Sequence, residues 1–266
     1  MDKVLEIQEK VKHGVLTHSG NFHADDVFST AILELVFGKI KVTRHFEVPE
    51  GYPGLVFDIG RGEFDHHQEE KEYYEDGIPY ASFGKLCKVI IPHHYGNEVY
   101  KELLPFIKDV DEHDNTGKIQ RYGEAHQISI LISDFNPNWN SKKDRDEAFL
   151  EAKEFAKKIL VNKIDKILGE LEAQKLLEQT PVENGCLILE QFLPWKDYAK
   201  NNNIRAAIYP SMRGGYSIMV TDSDVWKLPE EWMTNKPEGM NFIHTGLFIS
   251  QFDTKENALE AYKSTV

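Results

Sequence analysis

Cysteine is scarce in this chain. Cys87 and Cys186 are the only two among 266 residues, far apart and in no C-x-x-C spacing. That excludes a disulfide framework and a zinc–cysteine site, and it fits a reducing compartment. Both are expected to be ordinary core residues. Long apolar runs are missing too. No stretch of about 18 apolar residues occurs, so no helix is expected to span a membrane. Residues 1–12 are charged and lack the apolar core of a signal peptide. The expectation is a cytoplasmic protein. Positive charge is short: 31 Lys and Arg face 44 Asp and Glu, a net charge of −13. That field disfavours long duplexes, where phosphate neutralisation dominates affinity. It does not exclude a short strand drawn into a pocket by metals and a few basic groups. No P-loop spacing, tandem repeat, Pro-rich tract or low-complexity tail is present. What remains is ordinary globular composition, with length enough for two domains.

Three short stretches carry the chemistry. They are His18-Ser19-Gly20-Asn21-Phe22-His23-Ala24-Asp25-Asp26, then Asp58, then Asp65-His66-His67. Each follows an apolar run that reads as a short buried strand: Val15-Leu16, Leu55-Val56-Phe57 and Phe64. In an open parallel sheet the carboxyl ends of the strands share one edge, and ligands bind there. Imidazole and carboxylate would therefore meet at one place. Mixed nitrogen and oxygen donors suit manganese, iron, zinc or cobalt rather than calcium. Asp58, between the histidine clusters, could bridge two ions, the usual arrangement for hydrolysing phosphate esters. Asp25 or Asp26 could equally cap a helix.

Asp65-His66-His67 resembles the signature of the DHH phosphoesterases. The string from Thr17 to Asp26 is similar to one branch, the melanocyte-proliferating-gene exonuclease family. So are Val110-Asp111 with Asp114-Asn115, Asn136-Pro137-Asn138-Trp139-Asn140, Pro194-Trp195-Lys196 and Phe242-Ile243-His244. The resemblance implies a metal held by His18, His23 and Asp58, and a second held by Asp25, Asp58, His66 and Asp111. It implies that His67 touches the scissile phosphate. Most DHH relatives have Asp where this chain has His23. A neutral imidazole there lowers the negative charge around that ion and leaves zinc, iron or cobalt as rivals to manganese, the first expectation.

Along the chain, residues 1–12 read as a frayed or helical arm, and Val15–His18 as the first strand. Residues 25–37 show helical spacing, ended by Gly38. Residues 41–46 and 55–58 read as the next strands. Gly60-Arg61-Gly62 is a turn, with Arg61 solvated or facing phosphate. Residues 69–76, acidic and carrying Tyr73-Tyr74, read as a mobile surface loop or lid. Residues 82–95 read as a helix with Ser82 as its N-cap and His93-His94 at its cation-tolerant C-terminus. Pro105 fits the first turn of another helix, with Ile107, Asp111 and Asp114 on one face. Asp114 or Asn115 could instead cap its end. Further helices are expected over 122–135 and 144–180. After Pro181, strands at 186–189, 205–209, 216–220 and 241–244 precede a last helix capped by Thr254.

The expected architecture is α/β: a DHH-type N-terminal domain with a parallel sheet flanked by helices, over 1–140. A helical linker over 141–180 and a smaller C-terminal α+β substrate-binding domain over 181–266 follow. The residues alone reach a phosphate ester hydrolase. Asp65 would orient a neighbouring imidazole. The resemblance implies a 3′–5′ exonuclease on RNA or short oligonucleotides, using water activated by two divalent metal ions. A small-molecule phosphatase or pyrophosphatase and a non-catalytic metal-binding regulatory protein are the alternatives. In the smaller lobe, His244, Thr245, Gly246, Lys196 and Arg213 are expected to contact substrate.

Overall fold

A computed structural model describes residues 3–117 and 124–265. It is mixed α/β and divides into two compact units, Met1–Ile167 and Leu168–Val266. The division falls within one 34-residue helix.

The first unit opens with α1 (Lys3–Lys12), which buries Val4, Ile7 and Val11 at helical spacing. Strand β1 (Val15–His18) follows, then α2 (Ala24–Phe37), β2 (Val42–His45) and β3 (Leu55–Val56). The sheet order is β2-β1-β3, and both pairings are parallel. Val15, Leu16 and Thr17 are all buried, because a central parallel strand is covered on both faces. Phe57 donates its N–H to Leu16 O and forms a parallel bridge with Phe64. Asp58 and Asp65 thus emerge beside His18 at one sheet edge. Helix α2 is buried along almost its whole length and ends at Gly38, whose φ of 82° closes it.

Helices α3 (Ser82–Tyr95) and α4 (Asn97–Thr116) pack against α2. Phe28 of α2 meets Phe83 and Phe106, with ring centroids 5.4 and 5.3 Å apart. Replacing such a buried ring with Ala typically costs about 3–5 kcal/mol. Pro105 lies inside α4 rather than in its first turn, because α3 ends at Gly96 and α4 starts immediately after it. Gly117, in the left-handed region, closes α4, so neither Asp114 nor Asn115 is its end cap. Helices α5 (Glu124–Ser133) and α6 (Arg145–Glu178) follow; Tyr122 and Gly123, expected to begin the former, lie outside the described residues. Asp144 caps α6 by accepting from Asp146 N and Glu147 N.

Residues 69–76 are tied down rather than lid-like. Tyr74 is buried and stacks on Tyr80, Glu72 pairs with Lys85 and Lys88, and Asp76 pairs with Lys108.

The second unit is a six-stranded sheet. Its strands are β4 (Val182–Glu183), β5 (Cys186–Ile188), β6 (Ala206–Pro210), β7 (Tyr216–Val220), β8 (Met240–Ile243) and β9 (Ile249–Phe252). The order is β4-β5-β6-β7-β9-β8. Residues alternate between its faces. Ala206 and Ile208 join Phe252, Trp232 and Tyr262 of α8 (Lys255–Lys263). Ala207 and Tyr209 join Trp195, Ala199 of α7 (Lys196–Asn201), and Ala173 and Leu177 of α6. Thr254 caps α8 as expected, accepting from Asn257 N. Sequence patterning missed β4, β9 and α7, which are short.

Candidate metal centre

The loop between β1 and α2 is fixed from several sides. Asn136 clamps Phe22, accepting from its N–H at 3.0 Å and donating to its C=O at 2.9 Å. Arg44, buried on β2, donates to Gly20 O at 2.9 Å and to Asp146 at 3.0 Å. Its guanidinium lies over the Phe22 and Phe149 rings, a cation–π contact on both. His23 donates its N–H to Asp26 Oδ1 at 2.8 Å, which sets the entry to α2. Neither Arg44 nor Asn136 carries a spacing signal that would have revealed this role.

Among the described residues three groups of ligand-type atoms result, each with its atoms within 4.8 Å of one another. The first is His18, Asp26 and Asp58; the second is Asp25, His66 and Asp114; the third is Asp58, His66 and His67. His18 Nε2 lies 3.2 Å from both Asp26 Oδ2 and Asp58 Oδ2. His66 Nε2 lies 3.0 Å from Asp58 Oδ1, 3.2 Å from Asp114 Oδ2 and 4.0 Å from Asp25 Oδ2. Asp58 therefore offers one oxygen to each imidazole.

The chemistry of these donors fits divalent cations. His18 Nδ1 lies 3.1 Å from Ser19 O, which only accepts, so Nδ1 carries the proton. His66 Nδ1 likewise meets Asn115 Oδ1 at 3.2 Å. The Asn115 amide nitrogen is spent on the carbonyls of Asp111, Tyr80 and Pro79, which fixes its orientation. Each Nε2 is left to face carboxylates, as in metal-ligating histidines whose other nitrogen is anchored. Donor separations of 3.0–3.2 Å match the edge of about 3.0 Å expected for an octahedron with bonds of about 2.1 Å. Asp26 Oδ2 is buried with no hydrogen-bond partner. A cation would satisfy it.

Without a cation the same geometry is electrostatically tense. Burial pulls the His18 imidazole down, but the Asp26 and Asp58 carboxylates, each 3.2 Å away, push it up to about 11. His66 is also lifted to about 11, by Asp114 and Asp58 against burial. Burial and then the Asp58 and Asp114 charges raise the Asp25 carboxyl well above the usual range. Burial raises Asp58 too, but His18 and His66 outweigh it and hold it low.

The sequence-derived residues divide as follows. His18, Asp25, Asp58, His66 and His67 come together. His23 stands at the rim, 59% exposed, with Nδ1 3.5 Å from Asp114 Oδ1. Asp65 accepts from His67 Nδ1 at 2.7 Å and from Arg61 N at 2.6 Å. Asp111 points elsewhere: it accepts from Tyr74 Oη at 2.8 Å and Gly84 N at 3.0 Å. A Cβ on Gly84 would lie 1.9 Å from Asp111 Oδ2, so only glycine fits. Asp25 also accepts from Ser82 N and Phe83 N. The expected Ser82 cap is thereby corrected: Ala81 holds the cap position, and Asp25 and Asp111 receive the N–H groups of the first turn. Asp26, Asp114 and Asn115 are cluster members not expected as ligands: each is open to reading as a helix cap, and Asp114 also as the face-mate of Asp111.

In the second unit the expected contact residues do not form one cluster. His244, Thr245 and Gly246 follow β8 at one sheet end, where His244 N donates to Ile249 O. Arg213 sits in the β6–β7 turn at the opposite end, and Lys196 opens α7 after the β5 end on that side. His244 accepts from Gly246 N through Nδ1 at 2.9 Å and packs against Phe248 with the two rings tilted. All five are exposed.

A cleft of about 360 Å³ opens over the centre, lined by His18, His23, Asp58, Arg61, Asp65 and His67 among others. The family model MYG1_exonuc, described as "Uncharacterised protein family (UPF0160)", matches residues 14–228. A MYG1 protein of Schizosaccharomyces pombe is 26% identical over 92% of this chain and 95% of its own. A MYG1 protein of Chlamydia muridarum is 26% identical over 95% and 96%. A human protein named MYG1 exonuclease is 22% identical over 94% and 85%. No solved structure matches. With its family match running through the cleft and all three donor groups, the chain belongs to the MYG1 exonuclease family.

Proposed function

We propose that this protein is a metal-dependent phosphodiesterase, a 3′–5′ exonuclease acting on RNA or short oligonucleotides. The observation that carries this reading is Asp58, whose two oxygens face two separate imidazoles beneath an open cleft. Relatives named MYG1 exonuclease support it. His18, Asp26 and Asp58 would hold one ion, and Asp25, His66 and Asp114, with Asp58 shared, the other. Bound there, two divalent ions, manganese first among them, supply an activated water and charge neutralisation for in-line attack on phosphorus.

The chain's own residues do the rest. The Ser19 carbonyl and Asn115 amide hold His18 and His66 in the tautomer that presents Nε2 inward. Asp65 accepts the Nδ1–H of His67 and so orients the ring, which lines the cleft and would meet a phosphoryl oxygen through Nε2. Asp65 is suited to this. Burial would raise its carboxyl, but His67 and the N–H groups of Arg61 and His67 hold it below the usual range. The unpaired, buried Cys87 and Cys186 support a cytoplasmic location. No described helix is long and apolar enough to cross a membrane.

A small-molecule phosphatase or pyrophosphatase is the second reading, favoured by the net charge of −13 and by Arg61 as the only Lys or Arg lining the cleft among the described residues. A substrate panel separates them: oligoribonucleotide, oligodeoxynucleotide, dinucleotide, pyrophosphate and p-nitrophenyl phosphate, each with manganese or chelator. The exonuclease reading expects shortening of a strand from its 3′ end, abolished by chelator. Hydrolysis of pyrophosphate alone would replace it with the second reading. No hydrolysis of any member would leave a metal-binding protein without catalysis.

A further inference from the structure

Beside the metal centre lies a rigid strap that nothing in the mechanism uses. It runs from Asn136 to Arg145 and is bonded to the His18–His23 loop at both ends. Asn136 clamps Phe22 through both backbone groups, and Arg145 donates to Asn21 Oδ1. The strap also braces itself. Asn138 Oδ1 accepts from Trp139 N, and Asn138 O accepts from Ser141 N. Pro137 restricts the backbone further. This ordered strap presents the Trp139 indole to solvent at 89% exposure. Trp195 and Trp232 are buried and Trp226 is half-buried, so Trp139 stands apart. Across the same loop, Phe46 is 79% exposed, and its ring comes within 3.6 Å of where a Cβ on Gly20 would be.

Charge on the strap runs against that of the chain. From Trp139 to Arg145 the strap carries Lys142, Lys143, which pairs with Glu151, and Arg145, which bonds to Asn21, against a single carboxylate of its own, Asp144, which is occupied in capping α6. Exposed aromatic rings interleaved with cations are what a single strand needs, since bases stack on rings while phosphates meet cations. Holding the indole in place beforehand removes part of the ordering cost of binding.

We infer that Trp139, with Phe46 and the cations of the strap, is a stacking platform for nucleobases of a single-stranded oligonucleotide whose end lies at the metal centre. This rests on the nuclease reading for its ligand, but it can be tested without hydrolysis. The probe is a short phosphorothioate-linked single strand titrated into the full-length, metal-loaded protein, followed by tryptophan emission. Wild type should show quenching on binding. Trp139→Ala should abolish most of it and weaken binding about 5- to 150-fold, the range for losing one base–aromatic stack. Trp139→Phe should restore most of the affinity, and p-nitrophenyl phosphate turnover should be unchanged in both variants. Quenched binding by a protein that hydrolyses nothing would uphold the platform while the nuclease reading fails. Equal strand affinity in wild type and Trp139→Ala would overturn the platform. So would an equal fall in strand binding and small-ester turnover, which would place Trp139 in loop support. Concentration-dependent self-association lost in Trp139→Ala would show that a second copy covers the indole, and would overturn it as well.

Discussion

Asp58 has a φ of 57°, in the left-handed region that few residues other than glycine adopt. Aspartate tolerates it better than most. The consequence is geometric, since one oxygen reaches His18 and the other His66. Arg61, three residues on, is also left-handed at 58°, and its N–H bonds to Asp65, so the turn that delivers Asp65 depends on the carboxylate it delivers. Asp111 and Asp114 show the limit of reading residues from spacing. Three positions apart on a helix, they share a face, and the sequence made both visible. Which one turns to the imidazoles is decided by α3, whose first N–H groups draw Asp111 away. Asp111→Asn should therefore retain metal, while Asp114→Ala should lose about half of it. Metal content of the two purified variants checks this. Loss in Asp111→Asn with none in Asp114→Ala would reverse the roles.

At the scale of elements, the strands of the first sheet were legible as apolar runs ending in donors, and α2 as a helical stripe stopped by Gly38. The α4 start was not. Pro105 reads as a helix-starting residue, yet Gly96 already separates α3 from α4, and packing against α2 carries the helix through the proline. The 69–76 segment looked like a free acidic loop because its lysine partners lie on distant helices. The α2–α6 contact was equally hidden. Glu34, buried on α2, accepts from Lys153 and Lys157 of α6, each at 2.8 Å. Lys153 is itself buried. Glu34→Ala would leave that buried ammonium with the exposed Glu154 carboxylate alone, 2.6 Å away, and breaking a buried pair in this way costs about 3–5 kcal/mol. Chemical denaturation should show a loss of that order. A change under about 1 kcal/mol would mean that Glu154 and water suffice for Lys153.

At the scale of the whole molecule, metal binding and folding should be linked. His18 and His66 stand at about 11 in the metal-free chain, against an unperturbed 6.5. Between those values the folded chain holds more protons than the unfolded one. The stability they add is full below about pH 6.5 and is lost as pH rises towards 11. A cation must displace those protons, so its affinity rises over the same window. The gap in thermal midpoint between manganese-loaded and chelator-treated protein should therefore be wider at pH 9 than at pH 6.5. A gap that narrows would contradict this assignment of the protons.

The central claim is that two ions share Asp58. Metal stoichiometry after extensive dialysis tests it most directly, in wild type, Asp58→Ala and His67→Ala, each verified as folded by circular dichroism. The account predicts two ions per chain in wild type, none in Asp58→Ala and two in His67→Ala. The last variant should lose turnover on the order of 10²-fold, as for a missing oxyanion donor. Two tightly held ions in folded Asp58→Ala would contradict it.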